Sequence, residues 1–349
     1  MKNTNPVGLF DFEGRLSKLS KQGDPLEQLN KYISWEDFRT ILKEVLTKEP
    51  KGKGGRPPFD YLMMFKILVL KKYFGLSDDN TEYQILDRIS FCRFLGIGFS
   101  DAVPDSKTIW LFSEKLGEKT IELLFNKFDL TLTKQGILGK EGSMVDATFV
   151  EVPRQRNSRA ENAEIKKGNI PKDWDGNPNK KRQKDTDARW TKKNGEKHYG
   201  YKNHTKVDKV SKIIKTYKVT DASVHDSQTL KNLIDQKDKK MNLWADSAYS
   251  GEEIENLLKN NEIENKINEK GYRNKPLTEE QKLKNRAKSK VRARVEHVYG
   301  FIKNCMKGSS IRTIGIKRAK IGIGLTNIVY NFFRYIQIIK NNAKSVYGC

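Results

Sequence analysis

The chain has 349 residues, room for two domains at roughly 100 to 200 residues each or for one catalytic core with an appendage. With 36% hydrophobic and 10% aromatic residues it is no disordered chain, and 67 Lys plus Arg against 44 Asp plus Glu leave a net charge of +23. The 3 cysteines (Cys92, Cys305, Cys349) and 4 histidines (His198, His204, His225, His297) are scattered without a CxxC or HxxxH pair, which argues against a disulfide framework and a structural zinc site.

The opening MKNTNPVGLFDFEGRLSKLSK has no apolar signal-peptide core, which predicts a protein of the reducing cytoplasm. Residues 61–70 (YLMMFKILVL) are too short to span a bilayer, which takes roughly 20 apolar residues. Residues 321–340 are long enough but carry Asn327, Asn331 and Arg334, costly at bilayer depth. Both read as core helices, and no membrane partner is expected. A lysine-rich composition can reflect an AT-rich genome, but then the excess should be uniform. Instead, residues 281–320 hold thirteen Lys or Arg and one acid, Glu296. A local field of that sign attracts a polyanion, and nucleic acid is the first candidate.

From residue 8 to about 135 the periodicity predicts helices. Asp24 and Ser34 are candidate N-caps in GDPLEQLNKYISWEDFRTILKEVL. KEPKGKGGRPPFD (48–60) interrupts the pattern. Its Gly55-Arg56-Pro57 resembles an AT-hook, which lays Arg in a narrow minor groove, although a basic turn before a helix is the favoured reading. Further helices are predicted over 61–74, 81–86 and 108–128, with no β-pattern before 140.

The character changes at Gly142. SMVDATFVEV (143–152) is β-branched and apolar, as a central strand requires. Residues 154–196 are charged and poor in aliphatics, which predicts a solvated excursion. A hairpin follows (198–208 and 211–220), then a helix from Val224 through Leu233, a strand and turn (241–251), a helix (252–258) and a short strand (264–268). A long basic helix is predicted over 283–306 and another helix over 317–340. The order β, hairpin, α, β, α, β, α describes a mixed α/β sheet covered by helices, the order of the RNase H-like fold. The expected division is a helical region over 1–140, an RNase H-like catalytic domain over 141–341, and a tail over 342–349.

Three acids stand where this order would gather them: Asp146 inside the first strand, Asp246 after Leu243-Trp244-Ala245, and Glu296 in the basic helix. Each has a plain alternative, a turn or cap for the aspartates and an i,i+4 salt bridge with Arg292 for Glu296. Together they would repel, about 4 kcal/mol for two carboxylates 4 Å apart at an effective dielectric near 20, so a cluster calls for cations. Mg²⁺ suits such oxygen ligands, and two ions suit phosphodiester chemistry. Arg292, Glu296 and Lys303 are spaced by four and seven, which would put them on one face of a continuous helix.

The segments SMVDATFVE, LWADSAYSG and RARVEHVYGFIK resemble the acidic motifs of bacterial insertion-sequence DDE transposases, most closely group five of the group four/five superfamily. The last matches the signature Arg-x3-Glu-x6-Lys at Arg292, Glu296 and Lys303, with Ser289 where the signature usually has Tyr. GDPLEQLNKYISWEDFR, VPDSKTIWLF, KHYGYKNHTKVD and VTDASVHDS extend the resemblance over most of residues 10–340. It implies an RNase H-like core in which Asp146, Asp246 and Glu296 bind two Mg²⁺ ions, with Mn²⁺ able to substitute. It also implies terminal inverted repeats bound by the N-terminal region, hydrolysis at the transposon ends, and attack of the 3′-OH on target DNA. Double-stranded DNA is the expected partner, with a homodimer on paired ends at the bacterial nucleoid. Arg292, Lys303, Arg294 and Arg56 are the candidate DNA contacts. Residues 154–196, between the first two acids, are expected to touch DNA or a second protomer or to be a solvated loop. The rival readings are an RNase H-like nuclease without strand transfer and a non-catalytic DNA-binding descendant of a transposase.

Overall fold

The computed structural model describes residues 11–47, 57–139, 141–193, 195–273 and 275–347. It divides into two compact units, 1–116 with 332–349, and 117–331. Gly55 and Arg56 of the AT-hook-like tripeptide lie outside the described residues.

The first unit is helical: α1 (Asp11–Lys21), α2 (Pro25–Tyr32), a 3-10 turn (Trp35–Phe38), α3 (Arg39–Leu46), α4 (Tyr61–Phe74), α5 (Asp78–Asp87), α6 (Ile89–Leu95) and the start of α7 (Ser106–Lys134). Asp24 caps α2 by accepting the Leu26 N–H at 2.9 Å, ahead of Pro25, while Ser34 makes no side-chain cap bond. The apolar run 61–70 is explained by burial of α4: Leu62, Met64, Phe65, Ile67, Leu68, Val69 and Leu70 are all buried. Trp35, Phe38, Phe65, Phe94 and Phe332 meet as an aromatic cluster with edge-on and tilted contacts of 5.5–6.4 Å. Among the described residues no helix is long and apolar enough to cross a membrane.

The division between units differs from the expected one at 140/141. Helix α7 breaks at Gly117 (φ 68°, ψ 171°), a left-handed backbone that glycine adopts without steric cost. Beyond it Ile121, Leu124, Phe125, Phe128 and Leu132 are buried in the second unit, where Phe125 meets Tyr217 at 4.9 Å. At the other end, residues from Phe332 onward belong to the helical unit.

The second unit holds β1 (Gly142–Glu151), α8 (Arg159–Lys166), α9 (Pro178–Gln183), β2 (Arg189–Lys193), β3 (Glu196–Asp208), β4 (Ile214–Asp221), α10 (Leu230–Leu233), β5 (Asn242–Trp244), α11 (Glu252–Asn260), β6 (Glu264–Asn265), α12 (Glu279–Arg292), α13 (Arg294–Asn304) and the start of α14 (Ile316–Tyr347). The sheet runs β2-β3-β1-β5-β6 with β4 also on β3. β1, β3 and β4 are antiparallel neighbours, while β5 pairs parallel with β1 and β6 with β5. A hairpin on one side of a central strand and parallel strands on the other make an RNase H-like core.

Alternation along β1 feeds both faces. Val145 packs with Leu230, Leu243, Tyr249, Ile254 and Leu258 on one face, and Val150 with Tyr199, Tyr201, Val219, Ala319 and Ile323 on the other. The asparagines of α14 are sheet ligands. Asn327 exchanges amide hydrogen bonds with Asn203 (2.9 and 3.2 Å), and Asn331 accepts from the Ile214 N–H (2.9 Å) and donates to its carbonyl (2.8 Å). Asn331→Leu should therefore lower unfolding stability by about 2–4 kcal/mol, because it strands two buried backbone groups. A urea midpoint equal to the parent's would refute this.

Residues 154–196 are folded, not a solvated loop. Ser158 and Glu161 form a reciprocal capping box on α8, Trp174 is completely buried, and its indole N–H donates to Glu161 at 2.6 Å. Buried Asp185 accepts from the Tyr201 hydroxyl and the Gly315 N–H, and Asp187 accepts from the Ile316 N–H, which ties the insertion to the start of α14. A few well-spaced apolar anchors and paired charges order this segment despite its composition.

Candidate active site

The parallel pairing of β1 and β5 sets Gly142 opposite Asn242 and Met144 opposite Trp244. Continued by two residues, that register brings Asp146 level with Asp246. The approach is close: a Cβ at Gly142 (φ 120°) would lie 2.2 Å from the Asn242 carbonyl oxygen, so no other residue fits there. β5 ends at Trp244, and the next partner on β1's edge is the Ser309–Ile311 segment, which bonds Glu151 through Glu151 N–H to Ser309 O and Ile311 N–H to Glu151 O, both 2.9 Å. Asp146 thus stands on a stretch of β1 edge left open by β5.

Asp146 is buried at 9% exposure. Its Oδ1 accepts the Ala147 N–H at 2.8 Å and its Oδ2 accepts from Arg292 Nη1 at 3.1 Å. Burial pushes its carboxyl up to about 6, opposed by the Ala147 N–H and Arg292 and aided by the neighbouring Asp246 charge. Asp246 caps the following 3-10 turn, its Oδ1 accepting the Ala248 N–H at 2.9 Å. The structure thus brings the two aspartates together.

It does not bring Glu296 to them. The basic helix is two helices, α12 and α13, divided at Ala293, so Arg292 ends one and Glu296 lies in the first turn of the next. Arg292, Glu296 and Lys303 are therefore not carried by one continuous helix, although Ala293 itself keeps a right-handed helical backbone (φ −53°, ψ −17°). Arg292 turns to Asp146, Glu296 is exposed, and among the described residues no three acids, histidines or cysteines gather where they could hold a metal. The physical reason is packing: α12 buries no residue, whereas α13 buries Val295, Val298, Tyr299 and Ile302. Tyr299, one turn after Glu296, donates to the Asp146 carbonyl at 2.8 Å and pairs with the Thr205 hydroxyl at 2.7 Å, which fastens α13 to β1. Ser289 accepts from the Asn268 amide at 2.8 Å, and Arg294 is exposed. Arg56 is outside the described residues.

A cleft of about 320 Å³ lies beside β1, lined by Ala147, Thr148, Phe149, Lys193, Glu196, His198 and Lys303. A larger groove of about 830 Å³, which includes Lys218, Ser227, Lys231 and Glu253, contains none of the three acids. Beneath the aspartates lies a buried polar layer that the sequence did not announce: Lys202, His204 and Lys206 alternate along β3, each buried. Lys202 Nζ donates to Asp226 at 2.9 Å and Lys206 Nζ to Asp238 at 2.6 Å. The Tyr249 hydroxyl is buried and has no partner among the described residues, and burial, with the charges of Asp226, Asp146 and Asp246, pushes it well above the usual phenol range.

Burial pushes His204 down to about 4 from 6.5, so it is neutral at pH 7. Because the unfolded chain binds this proton more tightly, stability is fully present above pH 6.5 and is lost as pH falls toward 4. The loss is at most about 3 kcal/mol. His204→Gln should flatten that segment of the stability–pH curve, and an unchanged curve would contradict the assignment.

A family model described as "Transposase DDE domain" matches residues 138–332, more than half of the chain. The chain belongs to this transposase family. A second model, "Transposase domain (DUF772)", matches residues 14–115 of the helical unit. The transposase is also similar to a solved piggyBac transposase synaptic complex with hairpin DNA, at 12% identity and a TM-score of 0.45, over 90% of this chain and 75% of that one. Divalent-metal dependence is general among DDE transposases, and the residues here fit it. The donors are carboxylate oxygens, Asp146 has its proton affinity raised by burial and by Asp246, and Arg292, hydrogen-bonded to Asp146, and the nearby charge of Lys193 partly offset it.

Proposed function

We propose that this transposase cleaves double-stranded DNA at the terminal inverted repeats of its element and joins the 3′ ends to target DNA. The levelling of Asp146 and Asp246 by the β1/β5 register, at the open edge of β1, is the observation that supports it. Asp146 and Asp246 would hold Mg²⁺, with Mn²⁺ as a substitute, and Glu296, exposed and apart from the pair in this structure, would have to approach from α13 to complete the set. When bound, two such ions supply the Lewis acidity that activates an attacking oxygen and stabilises a leaving one. The protein's own part is to hold the two carboxylates in place through main-chain N–H bonds and to exclude water beneath them with the buried layer around Tyr249. Arg292 balances Asp146, while Lys303 and Arg294 face the DNA strand. In this reading the helical unit recognises the ends with Arg56, and a homodimer pairs two ends on nucleoid DNA.

The test is to copy the DNA on either side of the gene into duplexes and incubate them with the protein, Mg²⁺ and a target plasmid. Matching inverted repeats and end-specific cleavage support the reading. Cleavage indifferent to those sequences would overturn it.

A further inference from the structure

Lys193 closes β2 opposite Glu196, and its Nζ lies 3.8 Å from Asp226 Oδ2. Asp226 is buried, at 6% exposure, and its other oxygen takes the Lys202 ammonium at 2.9 Å; Lys202 also donates to the Val224 carbonyl at 2.7 Å. Two ammonium groups therefore share one carboxylate, which leaves surplus positive charge. Lys202 is enclosed, with 9% of its side chain exposed, whereas 44% of the Lys193 side chain is exposed. The surplus reaches solvent through Lys193, which lines the same cleft as Ala147, Thr148 and Lys303. The carboxylate in that lining, Glu196, is 81% exposed and lies 3.9 Å from His198 Nε2, so it does not neutralise Lys193.

We propose that Lys193 is a phosphate-positioning residue for the DNA strand at Asp146, facing it from the insertion as Lys303 does from α13, and that buried Asp226 positions Lys193. The inference rests on the DNA-cleaving reading above. On this view the folded insertion between the first two acids has a role in DNA binding, because β2 delivers a cation to the cleft beside β1. Asp226 then acts through Lys193, and Lys202 holds the other oxygen of the buried carboxylate in its place.

The experiment measures binding of the full-length protein to a fluorescent 30-base-pair duplex of arbitrary sequence between 50 and 200 mM salt. Lys193→Gln, Asp226→Asn, the double variant and Lys239→Gln are compared, the last a surface lysine paired with Glu262 at the opposite end of β5. Lys193→Gln should weaken binding several-fold and lower the log–log salt slope by about 0.9, the value of one phosphate contact. Asp226→Asn removes a negative charge, so bulk electrostatics alone would tighten binding. Positioning predicts the reverse, a loss comparable to that of Lys193→Gln with no further loss in the double variant. A Lys193→Gln slope and affinity equal to those of Lys239→Gln and the parent would overturn the proposal. Tighter binding by Asp226→Asn would overturn its positioning half. Melting curves identify an unfolded Asp226→Asn, in which case Lys193→Gln alone decides. A parent whose affinity ignores salt would instead overturn the DNA reading itself.

Discussion

Asp146→Asn should reduce Mg²⁺-dependent DNA cleavage by on the order of a thousandfold, equivalent to about 4 kcal/mol of transition-state stabilisation, without lowering the melting temperature of the metal-free protein. The activity loss follows from removing, at constant shape, a charge proposed to hold the metal. The stability result follows from burial. The carboxyl is pushed up from 3.8 to about 6, so the folded state holds its proton more tightly than the unfolded chain does. Stability contributed by the protonated form is lost as pH rises through this window, and above it the ionised carboxylate costs at most about 3 kcal/mol. Asparagine avoids that cost, and because the upward shift is already net of the Arg292 ion pair, the gain at pH 7 is at most about 3 kcal/mol. Parent and variant should converge below pH 4. Glu296→Gln, exposed and away from the pair, should lose activity with unchanged melting at every pH. A structural salt-bridge role for the acids predicts lower melting temperatures, with activity falling only as the protein unfolds.

Arg292 and Lys303 should separate in the same experiments. Arg292→Gln leaves Asp146 buried without its cation, which should destabilise the metal-free protein by about 1–3 kcal/mol and move the Asp146 titration further upward. Lys303→Gln alters an exposed side chain on the cleft wall, so melting should hold while DNA affinity falls and its salt slope decreases by about 0.9. Lys282, exposed and paired with the exposed Glu279, is the control; Lys320, only 24% exposed in its pair with Glu118, is unsuitable because removing it would also disturb a partly buried ion pair. Equal losses of stability in the two variants would mean that the positively charged helices act as a single structural patch.

The catalytic core was legible in the sequence because its signals are local. A β-branched run carries Asp146, an apolar tripeptide precedes Asp246, and the alternation of strands and helices fixes which strands neighbour each other. The break at Ala293 was hidden because the residue is no helix breaker and the charged periodicity continues across it. The usable sign was the apolar stripe Val295, Val298 and Ile302, which begins only after it. In the insertion, Ile165 and Trp174 are too sparse to register as a core, yet both are buried. The burial of Lys202, His204 and Lys206 carries no local sign, because their counter-charges, Asp226 and Asp238, are supplied by segments well downstream. Register on the sheet could be inferred; partners across it could not.

The proposed Mg²⁺-dependent strand joining, with Asp146, Asp246 and Glu296 assigned to it, can be measured without the preceding cleavage step. The full-length protein is given pre-cleaved duplexes that carry the element's ends with free 3′-OH groups, a supercoiled target plasmid and Mg²⁺, and covalently joined product is scored. Joined product is expected from the parent, none from Asp146→Asn, Asp246→Asn or Glu296→Gln, and none when the 3′-OH is replaced by hydrogen. Joining that persists in Glu296→Gln, or plasmid nicking by the parent with no joined product, would contradict the assignment of these three acids.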